Sequence, residues 1–373
     1  MFSEIAEKYS WTQIESEINA KSKSDVEHAL QVANLTIEDF KALVSPAAAE
    51  YLESMAQKSR IATQKRFGKT IQFYIPLYLS NKCINHCVYC GFNFNNKIER
   101  IVLSDEQILR EVAVIKEMGY EHILLLTGES PKHAGVDYIE HAIKLVHPHF
   151  KQVTLEVQPM SMEDYQRLIA VGLHGVYVYQ ETYNKERYPT YHPAGIKSDC
   201  QWRLNTPDRL GKAEVHKIGL GALLGLENWR VEAVFMAMHL QYLEKKYWKT
   251  KYALAFPRIR PHAGEFMPNY IVSDKELAQM IWAFRIFDND VEISLTTRED
   301  TEFRNHMLGL GVTAISAGSK TMPGGYAQDS EDLEQFAIND NRHPKEMLEV
   351  VKKAGYEVVW KDWDSYFEIE KEG

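Results

Sequence analysis

Long apolar segments, a disulfide framework and an excess of basic residues are all absent from this 373-residue sequence. No apolar run reaches the roughly 18 residues that a membrane-spanning helix needs. The net charge of −9, from 43 Lys and Arg against 52 Asp and Glu, argues against nucleic acid or an anionic membrane as a partner. The segment Met1–Glu7 is acidic and has no apolar core, so it predicts no signal peptide.

Cysteine is scarce, and three of the four cysteines, Cys83, Cys87 and Cys90, lie close together in the chain. The fourth, Cys200, lies far from them and is interpreted as an ordinary thiol. Clustered cysteines do not provide the spaced pairs of a disulfide-stabilised secreted domain. The sequence therefore predicts a protein of the reducing cytoplasm.

The clustered cysteines have the spacing C-x3-C-x2-C and follow an apolar run that predicts a strand. Three thiolates on one loop can hold three irons of a [4Fe-4S] cluster and leave the fourth iron open for a small molecule. The spacing, with the aromatic Tyr89 before the last cysteine, resembles the radical SAM superfamily, whose open iron binds S-adenosylmethionine (SAM). The alternative is a structural zinc-binding module without enzymatic activity, in which His86 or another histidine completes a four-ligand site.

The apolar pattern predicts an α/β fold in three regions. Residues 1–69 predict an N-terminal helical extension, with capping patterns at Ser24–Glu27 and Thr36–Asp39. Residues 70–320 alternate short apolar runs with amphipathic stretches, which indicates a parallel sheet covered by helices and hence a (β/α)8 radical SAM barrel of TIM type. Residues 321–373 form a C-terminal tail with one helix near 345–354, which we expect to pack on the barrel; a partner surface is the alternative. The eight predicted strands are Ile71–Leu79, His122–Thr127, Gln152–Val157, Gly175–Gln180, Lys217–Leu224, Tyr252–Phe256, Val291–Leu295 and Val312–Ser316.

Active sites of such barrels lie at the C-terminal ends of the strands, so the polar residues there are candidates. By the superfamily resemblance, Gly128 and Glu129 after the second strand bind the SAM amine, and Arg203 pairs with its carboxylate. The resemblance further assigns the remaining SAM contacts to Tyr89, Glu156, Gln180, Glu181 and Leu223. The alternatives are a plain turn, a buried structural network and tight helix–strand packing.

Arginines follow the later strands, and a second arginine in the barrel mouth suggests an amino-acid substrate whose carboxylate it clamps. Arg298 is the preferred clamp, expected across the mouth from the cysteine loop, with Arg258 and Arg260 as rivals; each could instead be an ion-pair strut. Hydroxyls could fix the substrate amine, and polar ends of strands three and four could face its side chain. These further substrate-site candidates are Thr296, Ser316, Ser319, Gln158, Tyr179 and Thr182.

Nearly the whole chain resembles the 2-iminoacetate synthases, the tyrosine lyases of thiamine biosynthesis. The segments that carry the resemblance are Pro76–Asn81, Tyr89–Phe92, Leu126–Glu129, Glu156–Pro159, Val178–Tyr183, Trp202–Leu210, Lys217–Leu223, Thr297–Glu299, Pro323–Tyr326 and Trp360–Tyr366. The sister enzyme HydG of hydrogenase maturation has a C-terminal extension with three further cysteines. This chain has no cysteine after Cys200, which we expect to separate the two.

The resemblance implies a [4Fe-4S] cluster and SAM as cofactors and no acid–base catalytic residue. It implies that a 5′-deoxyadenosyl radical takes hydrogen from the amino group of L-tyrosine, after which the Cα–Cβ bond breaks to give 2-iminoacetate and p-cresol. The implied partners are a thiazole synthase (ThiG), which receives the imine, and a flavodoxin or ferredoxin as electron donor. A HydG-like or tryptophan lyase-like enzyme is the alternative within the superfamily.

Overall fold

A computed structural model describes residues 1–264, 266–327 and 334–360. Its centre is a ring of eight parallel strands in the order β1 to β8, closed by pairing of β1 with both β2 and β8. The predicted (β/α)8 barrel is thereby confirmed. The strands are β1 Thr70–Ser80, β2 His122–Thr127, β3 Gln152–Glu156, β4 Leu173–Tyr177, β5 Lys217–Gly221, β6 Lys251–Ala255, β7 Glu292–Leu295 and β8 Ala314–Ser316.

Helices cover the barrel and precede it. Before β1 they are α1 Phe2–Ala6, α2 Trp11–Asn19, α3 Lys23–Gln31, α4 Ile37–Leu43 and α5 Leu52–Phe67, with a 3-10 turn at Pro46–Tyr51. Within and after the barrel they are α6 Asp105–Glu117, α7 Val136–Val146, α8 Met162–Ala170, α9 Tyr188–Tyr191, α10 Cys200–Leu204, α11 Thr206–Lys212, α12 Trp229–Lys246, α13 Asp274–Phe287, α14 Thr301–His306 and α15 Pro344–Lys353. One apolar core joins the early helices to the barrel, because Phe40 of α4 packs on Phe284 of α13 with ring centroids 4.8 Å apart.

Local sequence fixes where several helices begin. A capping box is present at Thr36 with Asp39, as predicted. The box predicted at Ser24–Glu27 is wrong, because Ser24 lies inside α3 and Ser22 is the residue that caps it. Ser22 has an extended backbone and its N–H donates to the Asp25 carboxylate at 2.7 Å, so the capping pair lies two residues earlier than expected.

Three main features of the sheet differ from the sequence prediction. Strand β5 ends at Gly221 rather than at Leu224. Strand β4 ends at Tyr177 rather than at residue 180, although the Val178 and Gln180 N–H groups still donate to carbonyls of the next strand. A ninth strand, β9 Glu357–Val359, pairs with the beginning of β1. It lies on the same edge of β1 as β2, which pairs with the later residues of that strand. The following Trp360 packs edge-on against Phe73, with ring centroids 5.0 Å apart.

The tail beyond Trp360 was predicted to pack on the barrel, but residues 361–373 lie outside the described residues. Helix α15 confirms the predicted helix of this region. Within the described part of the chain, no helix combines the length and apolarity that crossing a membrane requires.

Candidate active site

A cavity opens at the C-terminal end of the barrel, where the strands deliver their terminal residues. Most of the residues singled out from the sequence line it. These are Cys83, Cys87, Tyr89, Cys90, Gly128, Glu129, Glu156, Tyr179, Glu181, Arg203, Leu223, Arg260, Thr296, Arg298, Ser316 and Ser319. The barrel topology thus brings together residues that are far apart in the chain.

The cysteine loop follows β1 and is held by backbone hydrogen bonds to two other segments. The Ile84 N–H donates to the Glu129 carbonyl at 3.0 Å, and the His86 and Val88 N–H groups donate to carbonyls of the segment 184–199. All three loop cysteines are free thiols and line the cavity. Cys200 is also a free thiol, but it lies in α10 and does not line the cavity.

The donor set of this loop fits a cluster. Among residues 1–264, 266–327 and 334–360, no three His, Cys, Asp or Glu side chains are placed to hold a single metal ion. Three thiolates that each bind a different iron of a cubane are spaced more widely than the ligands of one zinc ion. Burial raises the pKa of the Cys83 and Cys90 thiols, so bonding to iron must offset the cost of forming the thiolates.

An ion pair between Glu129 and Arg203 lies beside the cysteine loop. Both guanidinium nitrogens Nη1 and Nη2 approach Glu129 Oε1, at 2.9 and 3.0 Å, and Arg203 Nε donates to the Tyr179 carbonyl at 2.9 Å. The amide of Asn85, between Cys83 and Cys87, donates to the other Glu129 oxygen at 2.8 Å. Burial raises the pKa of Glu129, but the charges of Arg203 and Lys197 outweigh burial and hold it below its usual value.

A second buried ion pair was not anticipated from the sequence. Lys197 Nζ lies 2.6 Å from Glu181 Oε1, and the Lys197 side chain is only 10% exposed. Glu181 has a φ of 69°, a left-handed conformation that is strained for a glutamate. Lys197 also donates its backbone N–H to Asn85 Oδ1 at 2.9 Å, so it ties the end of β4 to the cysteine loop.

Tyr89 is fixed by a histidine that sequence patterns also missed. The Tyr89 hydroxyl and His192 Nε2 are 2.7 Å apart, and His192 Nδ1 lies 3.0 Å from the Tyr188 carbonyl. Since a carbonyl only accepts, Nδ1 carries the proton and Nε2 accepts from the tyrosine. Burial lowers the pKa of His192 to about 2, which agrees with this neutral ring.

Glu156, Arg260 and Arg298 are charged groups of the cavity with few hydrogen-bond partners among the described residues. Burial, reinforced by the charge of Glu181, raises the pKa of Glu156 to about 7, although Arg298 opposes the rise. Arg298 stacks on Phe336, with Cζ 3.3 Å from the ring centroid, and burial lowers its pKa. Among described residues its guanidinium makes one hydrogen bond, a long one of 3.4 Å to the Arg258 carbonyl.

Arg298 was expected across the mouth from the cysteine loop, and this expectation is wrong. Only β8 separates β7 from β1 in the barrel, so Arg298 and the cysteine loop belong to the same side. The segment after residue 333 connects them, because Gln335 approaches Cys90 and Phe336 lies on Arg298.

Four of the predicted site residues do not line the cavity. Gln158 bonds to the Ser130 N–H and the Ala134 carbonyl, and Thr182 bonds to buried Glu232. Gln180 donates to Cys200 Sγ at 3.4 Å. Arg258 forms ion pairs with Glu299 and Asp274, which corresponds to the strut alternative rather than to a substrate clamp.

Several polar atoms around the cavity are buried and have no hydrogen-bond partner in the described residues. They are Thr127 Oγ1, Arg260 Nε and Ser319 Oγ. Buried polar groups are normally paired, so a polar ligand in the cavity would satisfy them. Asn85 was within reach of sequence reasoning, since it lies inside the cysteine motif, whereas Lys197, His192, Gln335 and Phe336 belong to loops without a pattern.

Comparison with known proteins agrees with this geometry. Residues 77–237 match the model of the radical SAM superfamily, and residues 255–357 match that of the Biotin and Thiamin Synthesis associated domain. The chain is 47% identical over 357 residues to 2-iminoacetate synthase of Salmonella typhimurium (strain LT2), covering 95% of each chain. It is 46% identical to that of Escherichia coli (strain K12), covering 98% of this chain and 97% of the relative.

The X-ray structure of the FeFe-hydrogenase maturase HydG from Carboxydothermus hydrogenoformans has the same fold. It superposes with a TM-score of 0.89 at 29% identity, over 99% of this chain and 87% of that one.

Proposed function

The chain belongs to the 2-iminoacetate synthase family of radical SAM lyases, and we propose that it cleaves the Cα–Cβ bond of L-tyrosine to 2-iminoacetate and p-cresol. We further propose that the product supplies the thiazole of thiamine, in agreement with the match of residues 255–357 to the Biotin and Thiamin Synthesis associated domain. The observation that carries the proposal is that three loop thiols, the Glu129–Arg203 ion pair and Arg298 all line one cavity. This arrangement supports two separate sites for amino-acid groups, one at the ion pair and the other at Arg298.

The first of these sites suits the methionyl end of SAM. Its Glu129 is bonded to Asn85 of the cysteine loop, so a ligand held there lies next to the cluster. We infer that Glu129 and the Gly128 backbone receive the ammonium group and that Arg203 receives the carboxylate. A Cβ at Gly128 would come within 2.4 Å of the Lys82 carbonyl, so the backbone here is packed directly against the start of that loop.

The second site suits the substrate. Within the described part of the chain, most donors of Arg298 have no partner, and stacking on Phe336 presents the guanidinium fork to a carboxylate. Thr296 and the Ser319 hydroxyl, which has no hydrogen-bond partner among the described residues, line the same cavity and could receive the amine. The barrel interior below is lined by Tyr74, Tyr177 and Tyr179, an aromatic surface for a phenol ring.

When bound, the cluster and SAM supply a 5′-deoxyadenosyl radical, with methionine as the other product. The residues of this chain hold the tyrosine amine at the radical carbon and keep water out of the cavity. No side chain has to transfer a proton in the bond-breaking step. Positioning is therefore the main contribution of the protein, and an error of about an ångström can cost roughly 100-fold in rate.

The imine product hydrolyses in water, and this suggests transfer to a second protein. We propose that a thiazole synthase receives it and that a flavodoxin or ferredoxin supplies two electrons in each turnover. One electron cleaves SAM, and the second, together with a proton, converts the hydroxybenzyl radical left by Cα–Cβ cleavage into p-cresol. An imine released into solvent would be hydrolysed, so direct transfer to the synthase should raise the yield of thiazole rather than the rate of tyrosine cleavage.

The test is to reconstitute the protein anaerobically with iron and sulfide and incubate it with SAM, a reductant and each aromatic amino acid separately. The proposal predicts p-cresol from tyrosine, with no cleavage product from phenylalanine or tryptophan. Cleavage of tryptophan instead would support a tryptophan lyase-like enzyme, and absence of iron–sulfur absorption with tight zinc binding would support the zinc module.

A further inference from the structure

Gln335 approaches one of the cysteine sulfurs, although no sequence pattern pointed to it. Its Nε2 lies 3.6 Å from Cys90 Sγ, and its Oε1 accepts a hydrogen bond from the Tyr78 hydroxyl at 2.8 Å. With Oε1 occupied by the tyrosine, the amide NH2 group is directed at the sulfur. The side chain therefore bridges β1 and the third cysteine of the motif.

The backbone around Gln335 is fixed on both sides. The Gly91 N–H donates to the Gln335 carbonyl at 3.0 Å, and the Gln335 N–H donates to the Thr321 carbonyl at 2.9 Å. A Cβ at Gly91 would come within 2.6 Å of the Gln335 carbonyl oxygen, so the two segments are as close as a glycine allows. Two residues on, the Ala337 N–H donates to the Pro261 carbonyl at 2.8 Å. Gln335 is thus held against the cysteine loop by more than its own side chain.

A donor at this sulfur has a specific electrostatic effect. Reduction adds one negative charge to an iron–sulfur cluster, and a hydrogen bond to a thiolate sulfur stabilises the more negative state. The interaction is strengthened by the buried surroundings, since Tyr78 is 4% exposed and Phe92 is 2% exposed.

We propose that Gln335 donates a hydrogen bond to the Cys90 thiolate and thereby raises the reduction potential of the cluster. This inference rests on the cluster assignment of the proposed function. It gives the C-terminal segment, which follows the barrel in sequence, a direct part in the electron-accepting site.

The test is a redox titration of the reconstituted protein without tyrosine, followed by the electron paramagnetic resonance signal of the reduced cluster. Gln335→Met and Gln335→Leu place an apolar side chain of comparable size at this position and remove the amide donor. Both should shift the midpoint potential to a more negative value, by roughly threefold to tenfold in the reduction equilibrium, or about 30 to 60 mV at 59 mV per tenfold. Iron content should equal that of the unaltered protein.

The matched control is Asn96→Ala. The Asn96 amide donates to the Gly91 carbonyl at 2.9 Å and the Ala263 carbonyl at 2.6 Å, beside the same cysteine but without a bond to sulfur. Its potential should stay at the unaltered value. An unchanged potential in both Gln335 variants overturns the inference, and so does loss of iron in both, because Gln335 would then be needed for cluster retention. Failure of the unaltered protein to bind a cluster would instead contradict the proposed function.

Discussion

At the scale of single residues, the charged side chains of the cavity differ in how many hydrogen-bond partners they have. Arg203 and Glu129 satisfy each other and their neighbours, whereas Arg298 makes one long hydrogen bond among the described residues. Removing one partner of a buried ion pair leaves an uncompensated charge. This lowers the stability of the protein as well as its affinity for the ligand. Substitution of Arg203 should therefore lower both stability and SAM affinity, whereas substitution of Arg298 should mainly affect the position of the substrate.

Arg203→Ala should weaken SAM binding by about 1.5–3 kcal/mol, the range for a hydrogen bond to a charged group. It should also lower protein stability, since Glu129 is left buried without its cation. Equilibrium binding of SAM to the reconstituted protein measures the first effect. Arg203→Lys, which keeps the charge but not the two-nitrogen contact, is the control and should recover stability more than affinity. Unchanged SAM affinity in Arg203→Ala would assign the carboxylate contact to another residue, with Lys197 the nearest candidate.

Arg298→Ala should separate SAM cleavage from tyrosine cleavage. Without the clamp the substrate is misplaced, so 5′-deoxyadenosine should still form while the p-cresol formed per deoxyadenosine falls, by roughly 100-fold in rate for a displacement of about an ångström. Both products are measured in the same reaction by chromatography. Arg298→Lys should restore only part of the coupling.

Arg258 provides the matched comparison for the clamp, because its guanidinium is committed to Glu299 and Asp274. Arg258→Lys should leave coupling near the unaltered value. Normal coupling in Arg298→Ala together with collapse in Arg260→Ala would move the clamp to the end of β6.

Glu156→Gln should change how stability depends on pH. The folded-state pKa of Glu156 is about 7, above its ordinary value of 4.5, so the unfolded chain loses this proton first. The charge then disfavours folding, and the unaltered protein should lose stability relative to Glu156→Gln as pH rises from 4.5 to 7, by about 3 kcal/mol in total. Thermal unfolding of both proteins across this pH range gives the difference. If the stability of the two proteins changes in parallel with pH, the pKa of Glu156 is not raised in the folded state.

At the scale of elements, the segment 184–199 covers the cysteine loop, and a glycine makes this possible. Gly195 has a φ of 95°, and a Cβ there would come within 2.4 Å of Asn85 Oδ1 and 2.6 Å of its Cα. Gly195→Ala should therefore displace the cysteine loop and lower the iron content after reconstitution. Gly355→Ala is the control, since Gly355 has a similar φ of 78° but nothing within 4 Å of its Cβ position. It should cost about 1–2 kcal/mol of stability and leave iron content unchanged. Equal iron loss in both variants would show that strain alone, rather than contact with Asn85, is responsible.

Elements were predicted from sequence where they repeat and missed where they do not. All eight barrel strands were located because near-continuous apolar runs alternate with amphipathic helices, a pattern that survives without tertiary information. Strand β9 has three residues and its pairing with β1 spans most of the chain, so no local signal distinguishes it from a loop. The lack of a local signal also explains why Lys197 and Gln335 were missed, since both reach the cavity from irregular segments.

The predicted site residues separate in a similar way. Residues at strand ends mostly line the cavity, because the barrel brings those ends together whatever their side chains are. Gln158 and Thr182 follow strand ends as well, yet their side chains bond to neighbouring loop and helix atoms outside the cavity. Which way a side chain points after a strand ends depends on the loop, and the sequence does not state it.

At the scale of the whole molecule, segments from both ends of the chain pack against the barrel. The early helices share the apolar core of α12 and α13, and the segment after β8 returns over the mouth with Gln335 and Phe336 before β9 joins β1. Buried Asp340 anchors this return through Arg304 of α14. Gln335 and Phe336 line the cavity, so the described part of the C-terminal segment contributes to the proposed site.

The most direct test of the proposed function is the fate of isotopic label in tyrosine. Reconstituted protein is incubated anaerobically with SAM, reductant and L-tyrosine labelled at Cα, and products are identified by mass spectrometry after the imine is allowed to hydrolyse to glyoxylate. Cleavage of the Cα–Cβ bond predicts unlabelled p-cresol, labelled glyoxylate and 5′-deoxyadenosine in equal amounts. Label in the phenolic product, or deoxyadenosine formed without p-cresol, would contradict the account.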